Sequence, residues 1–277
     1  MHNVHDKILF SVCDSVATIT LNRPDILNAI DLEMAEQLKQ RLRAAEQAAD
    51  IRALVVTSAG QAFCAGGDLR FAMAANPDTP GNSFLALTEI LHACIAQIRT
   101  MPKPVIAAIN GAAAGAGSFL ALACDLRIMA DDTYLKQSNT SHGLSIPAGG
   151  TFTLPRLVGL ARALEIAMLD EPIFAMRALE LGLVTRVVPA TQMGAETQQL
   201  ASRVARMPMD ILGRVKHLMN TSWDSSLEEH LERERGQIAA SANSAEGREG
   251  VHAFLEKRQP DFINAALALT QTSDTSI

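Results

Sequence analysis

The sequence is poor in aromatic residues, with one tryptophan and one tyrosine in 277 residues. Its formal net charge is −6, and no run of lysines and arginines stands out. A nucleic-acid-binding surface usually combines clustered basic residues with aromatic side chains. The composition therefore argues against nucleic acid as a partner.

Paired cysteines are also missing. The four cysteines, at positions 13, 64, 94 and 124, lie far apart, and no Cys-x-x-Cys pair suggests a metal site or a redox motif. Isolated cysteines in apolar surroundings are usually small core residues of proteins in a reducing compartment. We expect no metal site in this chain.

Long apolar runs are missing as well. None reaches the roughly 20 residues that span a membrane, and the segment Met1 to Lys7 lacks the basic region and apolar run of a signal peptide. Hydrophobic residues make up 48% of the chain, enough for a packed core. We therefore expect a cytoplasmic protein with no membrane partner, built as one large domain or as a domain with a small appendage.

Short apolar runs alternate with helical patterns along the first 190 or so residues. Apolar residues at helical spacing predict a helix after Asp31, which can cap it, and another that ends before Pro102. Units of strand, loop and helix indicate an α/β architecture with helices covering the sheets. The predicted strands are Ile8–Val12, Val16–Leu21, Ala53–Thr57, Val105–Ile109, Leu126–Ala130 and Leu183–Val188.

Strand patterns end near Ala190, and the rest of the chain looks helical. Ser226 and Glu229 have the spacing of a capping box. This change predicts a core of residues 1–198 followed by a helical domain of residues 199–277, whose polar end after Thr270 is expected to fray. The predicted helices are Thr191–Met207, Ile211–Ser222, Ser226–Ala242 and Glu246–Lys257.

Two loops rich in small residues follow predicted strands. One is FCAGGDLR at Phe63–Arg70, and the other is NGAAAGAG at Asn110–Gly117, which runs into a helix. Small residues let a ligand approach the main chain, and amides at a helix N-terminus suit a developing oxyanion. The glycine spacing is neither a dinucleotide fingerprint nor a phosphate loop. Tight helix–sheet packing explains each loop alone about as well, but together the loops predict two amides that converge on one oxygen.

Five motifs in the same order resemble the enoyl-CoA hydratase/isomerase (crotonase) family. They are LNRP at Leu21–Pro24 with Asn28-Ala29, the Phe63–Leu69 loop, KPVIAAING at Lys103–Gly111, Cys124-Asp125, and PAGGT at Pro147–Thr151. Within the family, the segments ACD at Ala123–Asp125 and LPRLVG at Leu154–Gly159 look most like those of the isomerases that act on ring-epoxidised phenylacetyl-CoA. The resemblance implies a crotonase-type spiral of ββα turns with a C-terminal α-helical trimerisation domain. It also implies an acyl-CoA substrate and assembly into a homotrimer or a dimer of trimers.

The resemblance also assigns site residues. It implies that the amides of Gly67 and Ala116 form an oxyanion hole; many relatives have glycine at the second position, and alanine keeps the N–H. Coenzyme A enters as part of the substrate, so no separate cofactor is expected. Arg70, and Lys257 from a neighbouring subunit, would meet its phosphates, although each is as readily a solvated surface charge. The residues expected to cradle the adenine and pantetheine, largely through backbone atoms, are Ile26, Cys64, Ala65, Asp68 and Leu69.

The residues that move protons in this family are absent. Phe119 and Asn139 stand at the two glutamate positions of the hydratases, and Pro147 stands where isomerases and dehalogenases often have an aspartate. None of these side chains titrates at accessible pH. A positioned acid or base contributes about 10²–10⁴-fold to a rate. The sequence therefore predicts carbonyl polarisation without the usual proton transfer.

Weaker substitutes are present. His142 can titrate near neutral pH, but it can equally cap a turn, and Asn139 can orient a water molecule or donate to a substrate oxygen. His92 stands at a position that resembles the catalytic histidine of 4-chlorobenzoyl-CoA dehalogenases, although histidine is common there in unrelated members. Catalytic candidates are therefore Gly67, Ala116, Asn139 and His142.

Two functional hypotheses stay open at this point. In the first, the chain is an acyl-CoA lyase or isomerase that works through an enolate, by isomerase- or hydrolase-type chemistry rather than plain hydration. In the second, it is a catalytically weak CoA-ester-binding pseudoenzyme or an assembly protein. The sequence does not identify the acyl group, but it suggests an apolar pocket. Candidates to line that pocket, each of which could instead be core, are Phe71, Met73, Phe84 and Phe119.

Overall fold

The computed structural model describes residues 6–75 and 77–266. The strands are β1 (Ile8–Cys13), β2 (Val16–Leu21), β3 (Ala53–Ser58), β4 (Ala62–Cys64), β5 (Val105–Ile109), β6 (Ala112–Ala114), β7 (Leu126–Ala130), β8 (Tyr134–Lys136), β9 (Ile173–Phe174) and β10 (Arg186–Val188). The α-helices are α1 (Leu32–Gln47), α2 (Leu69–Ala75), α3 (Pro80–Thr100), α4 (Ala116–Ala123), α5 (Gly150–Val158), α6 (Leu160–Leu169), α7 (Ala175–Glu180), α8 (Met193–Ala205), α9 (Met209–Thr221), α10 (Leu227–Asn243) and α11 (Ala245–Leu255).

Two sheets organise the first two thirds of the chain. The larger has the order β1-β2-β3-β5-β7-β10, and the smaller has the order β4-β6-β8-β9. Antiparallel pairing occurs at β1–β2 and at β8–β9, whereas the other neighbours are parallel. From β3 to β8, successive strands add alternately to the larger and the smaller sheet, which gives the spiral of ββα turns that the family resemblance implies.

The strand predictions for the larger sheet are confirmed to within one residue, apart from the last strand. That strand begins at Arg186 instead of Leu183. The amides of Leu183 and Val184 both donate to the carbonyl of Ala178, which closes the turn after α7 and keeps these buried residues out of the sheet ladder.

The two helix caps predicted from the sequence are present in the structure. Asp31 accepts a hydrogen bond from the Met34 amide (2.9 Å) at the start of α1. Ser226 and Glu229 form the predicted capping box at the start of α10. Caps of this type stabilise a helix by about 1 kcal/mol.

Within the described residues, α8 to α11 are the four helices that the sequence predicts, with ends displaced by one or two residues, and residues 262–266 are helical as well. The first of them, α8, buries Met193, Leu200 and Ala201 against the larger sheet. The boundary that we predict at residue 198 falls within this helix, and the division into two domains stays a prediction. Residues 270–277, for which we predict fraying, lie outside the described residues.

Across the described ranges, no helix is both long enough and apolar enough to cross a membrane.

Candidate active site

The two small-residue loops lie side by side because β4 and β6 pair in parallel and lead into them. Gly66 has a φ of +98°, a conformation that favours glycine. A Cβ at Gly66 would lie 3.0 Å from the Ala114 oxygen and 3.2 Å from the Ala116 nitrogen. The main chains of the two loops are therefore in direct contact.

The start of α4 is held against β4 by a second glycine. A Cβ at Gly117 would lie only 2.4 Å from the Cys64 oxygen and 2.6 Å from the Cys64 Cβ. Since real Cβ atoms do not approach this closely, only glycine lets α4 pack here. The contact fixes the position of the first turn of α4 relative to the loop after β4.

The amides of Gly67 and Ala116 are both free to bind a ligand. Ile30 donates to the Gly66 carbonyl and accepts from the Asp68 amide, each at 2.8 Å. Within the described chain, the Gly67 N–H between these two bonds has no acceptor. Ala116 is the first residue of α4, so its N–H has no acceptor inside the helix.

Both residues line one cavity of about 500 Å³. One wall is a face of α3, on which Phe84, Leu87 and Leu91 recur at helical spacing. Leu144 and Ile146 line the cavity from the loop that precedes α5. Among the described lining residues, none is an aspartate, glutamate, lysine or arginine, and histidines are the titratable groups. The cavity therefore suits an uncharged, apolar group next to two amide donors.

His142 is one of the two histidines, and its ring carries a free nitrogen. It ends a short 3₁₀ turn (Thr140–His142), and its Nδ1 bonds to the Ser138 carbonyl. A carbonyl only accepts, so Nδ1 carries the hydrogen. In the neutral ring, Nε2 then holds a lone pair, and it has no partner among the described residues. This tautomer suits a base that takes up a proton at Nε2.

His92, on α3, has the opposite arrangement. Its Nε2 accepts a hydrogen bond from the Ala148 amide (3.0 Å). Ala148 has a φ of +55°, so the bond holds a strained residue in the loop before α5. Because its Nε2 lone pair is already used, His92 serves to position this loop, and Nδ1 carries its hydrogen.

Asn139 lines the cavity, but its amide group turns back on the chain. The side-chain nitrogen donates to the Gln137 carbonyl, and the main-chain N–H donates to the Gln137 Oε1 (3.0 Å). The Asn139 Oδ1 accepts no hydrogen bond from the described residues. Asn139 can therefore accept a hydrogen bond from a ligand or from water, and one of the two N–H groups of its side-chain amide is already engaged.

Asp170, which sequence reasoning missed, anchors the segment that carries Asn139 and His142. Its carboxylate accepts hydrogen bonds from the amides of Ser138 (2.7 Å) and Ser141 (3.2 Å). Burial opposes ionisation, but these hydrogen bonds lower the pKa of Asp170 below its usual value. A possible sequence signal was its place at the end of α6, where Asp tolerates the left-handed conformation (φ +50°).

The residues expected to cradle coenzyme A are only partly brought together. Ala65 and Leu69 line the cavity. Cys64 is fully buried beneath it and donates to the Asn28 carbonyl, and burial raises the pKa of its thiol to about 12. Asp68 does not line the cavity. Its carboxylate caps α2 at the Phe71 amide and pairs with Arg23 (3.2 Å), and both of its main-chain groups bond within the fold.

The remaining three expected contacts lie outside the cavity lining. Ile26 is exposed in a short 3₁₀ turn, and Arg70 is exposed on the first turn of α2. Lys257 is exposed just after α11, with a φ of +57°. Their roles in binding the nucleotide end of coenzyme A stay predictions.

The structure corrects the expectation that Phe119 lines the pocket. It is 2% exposed, and its ring packs against Gly150, whose Cβ position would lie 2.6 Å from a ring carbon. Of the four residues proposed to line the pocket, only Phe84 lies among the lining residues; Phe71 and Met73 are outside it. Phe119 is therefore a core residue that supports α5.

Comparison with known proteins gives concordant matches. A sequence model of the enoyl-CoA hydratase/isomerase family matches residues 12–265. The chain is 38% identical to the 1,2-epoxyphenylacetyl-CoA isomerase of Escherichia coli K12, over 92% of this chain and 97% of that protein. It is 32% identical to the trans-2-decenoyl-(acyl-carrier-protein) isomerase of Streptococcus mutans, over 92% of this chain and 97% of that protein. The crystal structure of an enoyl-CoA hydratase from Polaromonas sp. JS666 superposes with a TM-score of 0.87 at 37% identity and covers 91% of this chain and 98% of that one.

Proposed function

Because the chain belongs to the enoyl-CoA hydratase/isomerase family, we propose that it is an acyl-CoA isomerase that works through an enolate. One observation carries the proposal. Two free amides, at Gly67 and Ala116, face a cavity whose described lining offers a histidine as base and no carboxylate. This combination supports polarisation of a thioester carbonyl and movement of a single proton.

In the proposed reaction, the carbonyl oxygen of a 3-enoyl-CoA thioester accepts hydrogen bonds from the Gly67 and Ala116 amides. His142 Nε2 removes a proton from C2, and the electron pair of the C–H bond moves into the enolate, whose negative oxygen the amides stabilise. The imidazolium then returns the proton to C4, and the double bond shifts to C2–C3. One histidine that takes up and returns the same proton is sufficient for this reaction.

The cavity lining, more than the relatives, supports isomerisation over hydration. Relatives similar to this chain include two named as isomerases and one, 38% identical, named as a probable enoyl-CoA hydratase. One of the isomerases acts on a decenoyl group, which is long and uncharged. The apolar α3 wall of the cavity fits an acyl group of that type. Hydration would require a second proton-transfer group to activate water, and the other histidine of the described lining, His92, already uses its Nε2 lone pair to accept from the Ala148 amide.

The first test is proton exchange in deuterated water. A panel of acyl-CoA thioesters is incubated with the protein, and mass spectrometry follows deuterium at the α-carbon. We expect exchange, and isomerisation of a 3-enoyl-CoA, with hydration of crotonyl-CoA slower than in a typical hydratase by about 10³-fold or more. Rapid hydration would refute the proposed division of roles.

His142→Gln tests the base directly. Glutamine keeps the polar volume but cannot take up a proton, so exchange should fall by about 10²–10⁴-fold. His217→Gln, at an exposed histidine on α9, is the matched control and should exchange like the unchanged protein. Equal exchange by the His142 variant would remove this residue from the mechanism.

Two alternatives correspond to distinct outcomes of the same experiment. Release of free coenzyme A without a double-bond shift would indicate thioester hydrolysis, for which the polarised carbonyl and a water molecule held by Asn139 Oδ1 are sufficient. Tight binding of acyl-CoA without exchange for any thioester would indicate a pseudoenzyme. The engaged side-chain nitrogen of Asn139 and the exposure of His142 are the features that favour this last outcome.

We also propose a homotrimer or a dimer of trimers, with Lys257 of one subunit near the coenzyme A phosphates of another. Large apolar side chains on α10 and α11 are exposed in the single chain, including Ile238 (69%) and Phe254 (81%), which supports a subunit contact there. Sedimentation at micromolar concentration should show at least a trimer. A monomer would leave Lys257 without its proposed role.

A further inference from the structure

A second cavity lies apart from the candidate active site. Its volume is about 810 Å³, and it lies between α5, α9 and the C-terminal end of α3. None of its described lining residues is shared with the cavity that Gly67 and Ala116 line. We call it the arginine cleft, after the four arginines that line it: Arg99, Arg127, Arg156 and Arg203.

Most of the positive charge of the arginine cleft has no carboxylate partner among the residues that the structure describes, although Arg99 donates to Asn220 Oδ1 and Arg127 donates to two main-chain carbonyls. Asp125 is the one carboxylate among its described lining residues, and it pairs with Lys216 (2.7 Å). Lys216 donates to two further main-chain carbonyls, so this pair is satisfied internally. In the described part of the chain, no carboxylate lies within 4.0 Å of the guanidinium of any of the four arginines.

Three of the arginines in the cleft influence one another through their charges. Burial lowers the pKa of Arg99, and the charge of Arg156 lowers it further, against the opposing effect of Asp125. Burial also lowers the pKa of Arg127, and Arg99 adds to this. Like charges that are partly removed from water raise the free energy of the empty site. An anion in the cleft would relieve this repulsion.

Arg156 also has an unused donor. A guanidinium offers five N–H groups, and within the described residues Arg156 donates only through Nη1, to the Phe152 carbonyl (2.9 Å). Its Nε is buried and has no partner. A buried donor without an acceptor costs about 1–3 kcal/mol. Nη2 also donates to no described residue but is not enclosed in this way, so it is the donor that a ligand oxygen in the cleft can reach.

The walls around the arginines are apolar. The Arg156 guanidinium carbon lies 3.4 Å from the centroid of the Phe152 ring and 5.6 Å from that of the Trp223 ring. Leu157 and Met219 line the same cleft. A cluster of unbalanced cations set into aromatic and aliphatic walls matches a ligand that has an anionic head and an apolar body.

We propose that the arginine cleft binds an amphipathic carboxylate, an apolar chain that ends in one carboxylate group. The carboxylate accepts hydrogen bonds from Arg99 and Arg156, and the chain packs on Trp223 and the neighbouring aliphatic side chains. This site is independent of the proposed isomerase activity, because it shares no described residue with the other cavity.

The single tryptophan gives a local assay. Trp223 is the only tryptophan in the sequence, it is 70% exposed, and it lines the arginine cleft. Sodium decanoate is titrated into the full-length protein while tryptophan emission is recorded, with decanol as the uncharged probe of equal chain length. We expect a saturable change with decanoate and binding at least about tenfold weaker with decanol, since a charged hydrogen bond is the difference.

Arg156→Met keeps the apolar stem over Phe152 and removes the charge, and it should weaken decanoate binding at least about tenfold. Arg162→Met, at an exposed arginine on α6 that pairs with Glu165, is the matched control and should bind decanoate normally. If the Arg156 variant does not fold, Arg203→Met replaces it, because Arg203 is exposed on α8 and its loss should still weaken binding.

Three results would overturn the proposal. One is equal affinity for decanoate and decanol, and another is unchanged decanoate binding in a folded Arg156 or Arg203 variant. The third is an Arg156 variant that binds decanoate normally but sediments as a smaller species, which would assign the arginines to a contact between subunits.

Discussion

Gly117→Ala tests the contact that positions the candidate site. A single methyl group would be added where α4 packs on β4, and the main-chain amide of Ala116 lies one residue away. The backbone at Gly117 is ordinary helix, so the substitution introduces no strain of conformation. Any effect must come from the contact itself.

The size of the effect follows from the distances. The new Cβ would lie 2.4 Å from the Cys64 oxygen and 2.8 Å from its Sγ, and Cys64 is fully buried at the end of β4. Reaching ordinary contact requires a shift of about 1 Å, and overpacking of this kind costs about 1–3 kcal/mol. A misplacement of about 1 Å at a catalytic group can lower a rate by about 10²-fold. We therefore expect a folded but less stable protein with a much slower α-proton exchange.

Urea unfolding measures the free energy of unfolding, and deuterium incorporation into an acyl-CoA measures the exchange rate. Gly236→Ala in α10 is the matched control, because a Cβ at Gly236 meets no atom within 4 Å. That variant should be more stable by up to about 1 kcal/mol, from helix propensity alone, with exchange unchanged.

Two outcomes for Gly117→Ala carry separate conclusions. If its unfolding free energy equals that of the unchanged protein, α4 does not lie as close to β4 as described. If stability falls but exchange is unaffected, the Ala116 amide is not part of the reacting site.

Three other expectations can be checked independently. Burial raises the pKa of the Cys64 thiol to about 12, so a thiol reagent at neutral pH should label it only after unfolding, as mass spectrometry would show. Burial favours the neutral form of Asp31, but the hydrogen bond from Lys7 outweighs this effect and lowers the pKa of the carboxyl group. The ionised carboxylate therefore stabilises the folded state above the unfolded pKa of about 3.9, and this stabilisation is lost as the pH falls through the lower folded pKa. Asp31→Asn should therefore lower the unfolding free energy at pH 7 and have little effect in strong acid, measured by urea unfolding at both. Asp170→Ala should speed amide hydrogen exchange in residues 138–142, which its carboxylate anchors.

The larger sheet was predictable because its strands are five or six residues long, with one short exception, and carry a clear apolar pattern. The smaller sheet was not. Its strands have two or three residues, too few to show alternation, and two of them lie inside what reads as loop, at Ala62–Cys64 and Ala112–Ala114. The pairing of these two strands brings the two loops together. The small residues therefore predicted that the loops lie close to each other, but they did not predict the strand pairing that causes it, and the convergence of the two amides on one oxygen stays a prediction.

Side-chain roles were harder to predict than backbone positions. All eight residues of α4 are buried, so no amphipathic pattern tells which face meets the cavity and which meets α5. Phe119 was misplaced for this reason. Asp170 was missed because it acts through main-chain amides of residues about thirty positions earlier, a relation that local spacing does not express.

The structure separates the two parts of the proposed chemistry. The amides of Gly67 and Ala116 are main-chain groups fixed by glycine contacts, so they persist whatever side chains line the cavity. Proton transfer depends on side chains, and the two residues that we expect at the glutamate positions of the hydratases make other contacts. Phe119 packs against Gly150, and Asn139 bonds to its own turn. A glutamate at position 119 would be an unpaired charge in the core, which costs several kcal/mol. We therefore expect Phe119→Glu combined with Asn139→Glu to destabilise the site before it restores hydration, which leaves His142 as the proposed proton carrier.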